Sequence, residues 1–206
     1  MKNSVIVKHD LSDEVYQTLS SAPELGVDCE MMGLNVFRDR LCLVQIGAEE
    51  GPFYLIQIDE TAGAPNLKKL MENPAIVKIF HFARMDGLFL KKRLGIGIKN
   101  IYCTKIASKI ARTYTDRHGL KELVRELLSE TMDKTWQSSY WGADELTNAQ
   151  ADYAASDIKY LFRLKKILSE MLVREKREHL IQGLFDFLPH RIELDIYGYE
   201  DIFDHK

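Results

Sequence analysis

The chain has 206 residues, of which 46% are hydrophobic, and a formal net charge of −3; this length suits one domain with its own core, and this charge excludes a protein that coats long nucleic acids. No apolar run approaches the roughly 18 residues of a membrane span, and the quickly charged N-terminus does not fit a secretory signal, so a cytoplasmic protein is expected. Three cysteines without C-x-x-C spacing exclude a zinc knuckle and predict reduced, buried thiols.

The first half of the chain predicts one helix and three strands. The helix begins after Ser12, where a serine and two acids precede an apolar period, and it ends near Ala22. Apolar runs at residues 25–31, 40–46 and 53–58 are typical of strands, and turn-forming residues separate them. Because the connections are short, we expect these three strands to form an antiparallel meander.

The second half predicts one more strand and is otherwise helical. Residues 75–80 form a largely apolar run that follows a short helix ending at Asn73. Further helices are predicted at residues 85–93, 104–111 and 120–128, and in a long, interrupted segment from residue 147 to about 187. Strands first and helices later, joined by a strand–helix crossover, predict an α/β fold with a helical C-terminal half.

The last segment, residues 189–206, differs in composition from the rest. It is rich in acidic and aromatic residues and shows no helical period. A frayed tail is one interpretation, but the aromatic residues favour docking on the same or a neighbouring subunit. We therefore predict a main domain over residues 1–188 and a docked tail over residues 189–206.

Asp28 and Glu30 lie two residues apart inside an otherwise apolar strand. Strand alternation points both side chains to one face, opposite to Cys29. Two like charges this close cost several kcal/mol through desolvation and repulsion, and a divalent cation bound through oxygen would offset that cost. The alternative is an edge strand with a solvated acidic face, because the D-x-E pattern alone is a weak signal.

Three residues extend the acidic pattern. Asp86 lies at the start of the helix that follows the buried strand, where a carboxylate is favoured electrostatically. Tyr153 and Asp157 lie four residues apart and therefore stack on one face of a helix. Each has a plain structural alternative, either a helix-terminal acid or an ordinary amphipathic helix. His81 is expected to be a supporting or core histidine, because hard cations prefer oxygen ligands.

Taken together, Asp28-x-Glu30, Asp86 and Tyr153-x-x-x-Asp157 resemble the DEDDy 3′–5′ exonucleases. The resemblance extends over nearly the whole chain, because residues 40–47 are similar to the second strand of ribonuclease D relatives, and residues 133–141 to the segment before their third motif. It implies a ribonuclease H-like exonuclease fold, with a mixed central sheet flanked by helices.

The resemblance also implies phosphodiester hydrolysis with two divalent cations, Mg²⁺ or Mn²⁺. Asp28, Glu30 and Asp157 would hold the cation that activates water. Asp28 would bridge to the second cation, near the leaving 3′ oxygen, and Asp86 would bind that cation directly or through water. Tyr153, with an ordinary pKa of about 10, is assigned to orienting the water rather than to removing its proton.

A closer branch is implied by two further features. The chain is expected to lack the helical nucleic-acid-binding (HRDC) domains of ribonuclease D. In this it resembles the nanoRNase C branch. The resemblance implies a diribonuclease that forms homo-oligomers, usually octamers. The run Asp28-x-Glu30-Met31-x-Gly33-Leu34 is similar to the D-x-E-M-x-G-L motif of oligoribonuclease, although that group has histidine in its third motif. The resemblance implies that Leu34 wedges between two bases; the alternative is a core leucine after a turn.

The leading hypothesis is a diribonuclease that cleaves short RNA, especially 5′-phosphorylated dinucleotides such as pGpG, to nucleoside 5′-monophosphates. A dinucleotide offers few phosphates, so a few basic groups must capture its 5′ phosphate. The candidates are His190, Arg191, Arg84 and Lys105, and Arg191 fits a plain salt bridge equally well. The rivals are a broader 3′–5′ exonuclease on longer RNA or single-stranded DNA ends, and a non-catalytic nucleic-acid-binding module.

Overall fold

The structure is a computed structural model that describes residues 4–200 and 202–205. The strands in this part of the chain are β1 (Ser4–Lys8), β2 (Glu24–Met31), β3 (Leu41–Gly47), β4 (Phe53–Gln57), β5 (Val77–Phe80) and β6 (Ile101–Cys103). The helices are α1 (Asp13–Ser20), α2 (Pro65–Met71), α3 (Ala83–Leu94), α4 (Thr104–Ala111), α5 (Leu120–Leu128), α6 (Asn148–Lys159), α7 (Leu161–Arg174) and α8 (Glu178–Ile196).

The strands form one mixed sheet with the order β1-β4-β3-β2-β5-β6. The predicted antiparallel meander is confirmed, because β3 pairs antiparallel with β2 on one side and with β4 on the other. The outer strands run parallel to their neighbours: β1 to β4, β5 to β2, and β6 to β5. β3 is buried at every residue, so the acidic strand β2 lies next to the centre of the core.

Helix α6 carries the third motif onto the sheet. The helix begins with a reciprocal cap. The backbone N–H of Gln150 donates to Thr147 Oγ1 at 3.2 Å, and the backbone N–H of Thr147 donates to Gln150 Oε1 at 3.0 Å. The helix contacts β2, β3 and β4, and the small Ala151 and Ala154 lie in one apolar cluster with Leu43. Small residues at this interface allow the helix to approach the sheet closely.

Helix α8 corrects the sequence-based prediction for the C-terminal segment. It continues through Pro189 to Ile196, so the prediction that residues from 189 onward are not helical is wrong as far as Ile196. Proline costs about 3 kcal/mol inside a helix, but Leu188 and Ile192 are buried, and α8 packs closely on α3 at Gly87. Burial of this apolar face outweighs the local cost of the proline.

The described end of the chain contacts α8 of the same subunit. Arg191 donates hydrogen bonds to the backbone oxygens of Tyr199 and Glu200, and the rings of Phe187 and Phe203 lie 5.7 Å apart. Residues 201 and 206, which belong to the predicted tail, lie outside the described residues. Among the helices that the structure describes, none is both long and apolar enough to cross a membrane.

Candidate active site

Three of the predicted metal ligands converge at one point of the sheet. Asp28 and Glu30 project from β2, and Asp157 projects from α6; one carboxylate oxygen from each lies within 4.8 Å of the others. Strand alternation places the first two side chains on one face, and α6 lies across that face. The arrangement is that of a cradle for a cation, built from two elements distant in sequence.

Asp86 adds a fourth carboxyl group to the acidic cluster, from α3. It lies in the first turn of α3, as predicted, and is 5% exposed. Its carboxylate accepts hydrogen bonds from the backbone N–H and the thiol of Cys29. Asp86 is therefore held against the strand between Asp28 and Glu30, although it lies outside the tight group of three carboxylates.

Burial and mutual repulsion disfavour the ionised forms of the four carboxyl groups when no cation is bound. Burial, followed by the charges of Asp86, Asp157 and Glu30, raises the pKa of Asp28 well above its ordinary value. Burial likewise raises the pKa of Glu30 to about 9 and that of Asp86 to about 8, and it raises the pKa of Asp157. Ionising all four groups at neutral pH therefore requires positive charge nearby.

The donor set fits a hard divalent cation. All the converging groups offer oxygen, which suits Mg²⁺ or Mn²⁺. His81 is not among the converging ligands: its Nδ1 lies 2.9 Å from Thr104 Oγ1. Burial lowers its pKa to about 3, so the ring is neutral at pH 7. Gln45, which faces Asp28 across the β2–β3 ladder, is buried and its side-chain amide has no hydrogen-bond partner in the described residues.

Tyr153 and Lys134 meet Asp157 at the edge of the cluster. The Tyr153 hydroxyl is hydrogen-bonded with Asp157, and burial and the Asp157 charge raise the tyrosine pKa, so the phenol stays protonated. Lys134 Nζ lies 3.2 Å from Tyr153 Oη and 3.2 and 3.3 Å from the two oxygens of Asp157. Sequence reasoning assigned no role to Lys134, although it lies in residues 133–141, which carried part of the resemblance.

Two cavities flank the carboxylates and share Glu30, Cys29 and Gln137 as a common wall. One, of about 530 Å³, is also lined by Asp28, Asp157 and Tyr153, and by basic side chains such as Lys105 and Lys121. Phe82 lines it too; this residue adopts a left-handed backbone (φ 70°), and Lys105 Nζ lies 4.0 Å from its ring centroid.

The second cavity, of about 610 Å³, has a more apolar wall. Leu34 and Tyr140 line it and are 77% and 62% exposed, so the alternative of a core leucine at position 34 is excluded. The turn before Leu34 is tight, because a Cβ on Gly33 would lie 2.2 Å from Asp39 Oδ2. Asp39 in turn accepts a hydrogen bond from the Asn35 amide at 3.0 Å, which fixes the turn and presents Leu34 to the cleft.

The four candidate residues for the 5′ phosphate lie in different places, and one of them lines a cavity beside the carboxylates. Lys105 lines the polar cavity beside the carboxylates, whereas the other three line neither flanking cavity. Arg84 donates to both oxygens of Asp195 at 2.6 and 2.7 Å, and Arg191 Nε donates to the same carboxylate at 3.0 Å. His190 is exposed on α8 and lies 6.4 Å from the Phe187 ring.

Comparison with known proteins identifies the family. A family model described as 3′–5′ exonuclease matches residues 4–173. Among curated proteins, ribonuclease D of Granulibacter bethesdensis is 28% identical over 84% of this chain, and DNA polymerase I of Aquifex aeolicus is 38% identical over 75%. The chain spans only 44% and 25% of the lengths of these two relatives.

Solved structures give a closer match. Brucella melitensis NrnC with bound Mg²⁺ is 44% identical to this chain, with a TM-score of 0.93 and full coverage of both chains. The same protein bound to pGG is also 44% identical, with a TM-score of 0.92 and full coverage of both chains. This chain therefore has the ribonuclease H-like exonuclease fold and belongs to the 3′–5′ exonuclease family of metal-dependent phosphodiester hydrolases.

Proposed function

We propose that the protein is a 3′–5′ exoribonuclease for short RNA that cleaves 5′-phosphorylated dinucleotides to nucleoside 5′-monophosphates. The observation that carries the proposal is the position of Glu30, one of the clustered carboxylates, in the wall shared by the two flanking cavities, with the exposed Leu34 lining the second cavity. A phosphodiester at this wall would have one nucleoside on each side. The likeness to a protein solved with bound pGG supports a substrate of this length.

The carboxylates would bind the cations and the remaining polar groups would orient the reactants. Asp28, Glu30 and Asp157 would hold one divalent cation, and Asp28 and Asp86 a second. Such cations, when bound, stabilise negative charge on the attacking and leaving oxygens. Tyr153 keeps its proton at neutral pH, so its hydroxyl orients the attacking water instead of acting as a base.

The bond changes are those of a simple hydrolysis. A water oxygen bonds to the phosphorus between the two nucleosides, and the bond from phosphorus to the 3′ oxygen breaks. The 3′ oxygen takes up a proton to become a hydroxyl group. A 5′-phosphorylated dinucleotide consequently gives two nucleoside 5′-monophosphates, because each nucleoside then carries one 5′ phosphate.

The two cavities suggest how a short substrate would be held. Leu34 and Tyr140 present apolar surface for a base, and stacking of one base on a side chain contributes about 1–3 kcal/mol. Lys105 beside the polar cavity is our candidate for the 5′ phosphate, since Arg84 and Arg191 are paired with Asp195. Affinity from stacking and one phosphate contact agrees with a chain whose net charge is −3.

We also propose that the protein forms homo-oligomers. The supporting observation is that Leu180 and Leu184, one turn apart on α8, are both exposed although they are large and apolar. Light scattering of the wild-type chain and of a Leu180→Glu/Leu184→Glu variant tests this. A wild-type monomer, or an assembly that both charged substitutions leave intact, would contradict the proposal for this surface.

A length series of 5′-phosphorylated RNAs, from two to seven nucleotides, tests the proposed substrate. We expect kcat/KM for the dinucleotide to exceed that for the seven-nucleotide RNA, and Leu34→Ala to lower the dinucleotide value by about tenfold by removing a base contact. Leu34→Met is the matched control, because it keeps an apolar side chain of similar volume. Equal turnover across the series would favour a broader exonuclease on longer RNA or single-stranded DNA ends.

A further inference from the structure

Lys134 places a positive charge inside the acidic cluster. It belongs to the segment between α5 and α6, and its ammonium contacts both oxygens of Asp157 and the hydroxyl of Tyr153, at 3.2–3.3 Å. Its Nζ also lies 5.3 Å from the centroid of the Tyr153 ring. These contacts position the ammonium on the cleft side of the carboxylates, where a cation bound to Asp157 would have to approach.

The charge of Lys134 acts on more of the cluster than Asp157 alone. It lowers the pKa values of Asp28 and Glu30, which burial and the neighbouring carboxylates raise. Within the described residues, Lys134 is the cationic side chain that forms an ion pair with the cluster. Lys121 lines the same cavity but forms no hydrogen bond or ion pair with Asp157, Asp28 or Glu30 among the described contacts.

We propose that Lys134 is a positioning residue that neutralises Asp157 in the metal-free protein, holds Asp157 and Tyr153 together, and competes with a divalent cation for the Asp157 oxygens. The inference rests on the proposed metal site and adds a residue that sets its affinity. The competition follows from geometry, because the ammonium contacts both oxygens that Asp157 has to offer. A fixed positive charge beside the site also repels an incoming cation.

The proposal predicts opposite effects on metal binding and on metal-free stability. Lys134→Met removes the competitor and the repulsion, so the dissociation constant for Mn²⁺ should fall at least about tenfold. The same substitution leaves the buried acids without a counter-charge, so the melting temperature in EDTA should fall by roughly 2–4 °C. Lys134→Arg keeps the charge and should restore both quantities toward the wild-type values.

The experiment titrates Mn²⁺ into the full chain and follows free Mn²⁺ by electron paramagnetic resonance. The variants are Lys134→Met, Lys134→Arg and the matched control Lys121→Met, which removes a charge from the same cavity. Lys134→Gln is measured beside Lys134→Met, because it keeps a polar end that is better tolerated at this site. Tighter Mn²⁺ binding in both uncharged Lys134 variants, with little change in the Lys121 variant, is the expected result.

Two outcomes would overturn the inference about Lys134. One is Mn²⁺ affinity that is unchanged or weaker in the uncharged Lys134 variants; the other is equal tightening in Lys121→Met, which would reflect general charge and not competition at Asp157. Asp157→Asn separates this inference from the metal site itself. If Asp157→Asn leaves Mn²⁺ binding unchanged, the proposed ligand set is wrong, whatever the Lys134 variants show.

Discussion

Two groups of charged side chains in this protein differ in their balance of positive and negative charge. In the cluster on β2, α3 and α6, the charge of Lys134 acts on three of the four carboxyl groups, and the pKa values of all four acids are raised. Between α3 and α8, Asp195 has two arginines; burial alone would raise its pKa, but hydrogen bonds from Arg84 and Arg191 lower it. The first group has more carboxyl groups than positive charges, whereas in the second the carboxylate is neutralised by arginines of the same chain.

The difference separates a binding site from a structural contact. A partly buried carboxylate paired with arginines needs no further partner, and the pair stabilises the packing of the two helices that carry its members. An excess of buried carboxylates is tolerated only where a ligand supplies the missing charge, which is why perturbed pKa values concentrate at functional sites. Substitutions in the two groups should therefore affect different properties of the protein.

The largest effect is expected from Asp28→Asn. This change removes one negative charge from the proposed cation ligands, so the rate of dinucleotide hydrolysis with Mn²⁺ should fall by about 1,000-fold or more. Because the substitution also relieves repulsion between buried acids, the melting temperature in EDTA should not fall. Hydrolysis at the wild-type rate would show that the carboxylates at β2 are not the catalytic centre.

A smaller effect is expected from Tyr153→Phe, which changes the cluster without changing its charge. Loss of the hydroxyl removes the group that we expect to orient water, so kcat should fall by about 10- to 100-fold. Mn²⁺ affinity should remain close to that of the wild type, because the carboxylates stay in place. A kcat within twofold of the wild-type value would remove Tyr153 from the mechanism.

Asp195→Asn tests the balanced group. The variant leaves Arg84 and Arg191 without their shared carboxylate, so we expect a loss of about 1–3 kcal/mol in the free energy of unfolding, measured by urea denaturation. Hydrolysis by the folded protein should stay within about twofold of the wild-type rate. A stable Asp195→Asn protein with little activity would instead place these arginines at the substrate.

The pH dependence of the stability of the metal-free protein has opposite signs in the two groups. Glu30 and Asp86 have folded pKa values of about 9 and 8, above the value of about 4 in an unfolded chain. Their contribution to stability is therefore complete below about pH 4 and is lost as the pH rises toward 9. The pKa of Asp195 is lowered, so its contribution is present above about pH 4 and is lost in acid.

The check is a series of melting curves in EDTA between pH 5 and pH 9. The melting temperature should fall across this range in the wild type and in Asp195→Asn, and less steeply in Asp28→Asn, which has fewer buried acids to ionise. Saturating Mn²⁺ should also reduce the slope, because a bound cation favours the ionised carboxylates. A melting temperature that rises toward pH 9 in EDTA would contradict the raised pKa values.

Most of the fold could be predicted because its elements have strong local signals. The three central strands are largely apolar and bounded by turn residues, and residues 104–111 and 120–128 form helices as predicted. Strands β1 and β6 were missed: β1 is a mostly exposed edge strand without a buried face, and β6 has 3 residues. The helix through Pro189 was missed because only its packing on α3 outweighs the proline.

The sequence by itself determined which carboxylates share a face, because backbone geometry fixes the direction of side chains two apart in a strand and four apart in a helix. Only the tertiary structure decided which distant groups meet them. It placed Lys134 against Asp157, tied Asp86 to Cys29, and paired Arg84 with Asp195 instead of the cleft. Such pairings depend on how α3, α6, α8 and the segment before α6 pack against each other and the sheet, and no local spacing in the chain determines that packing.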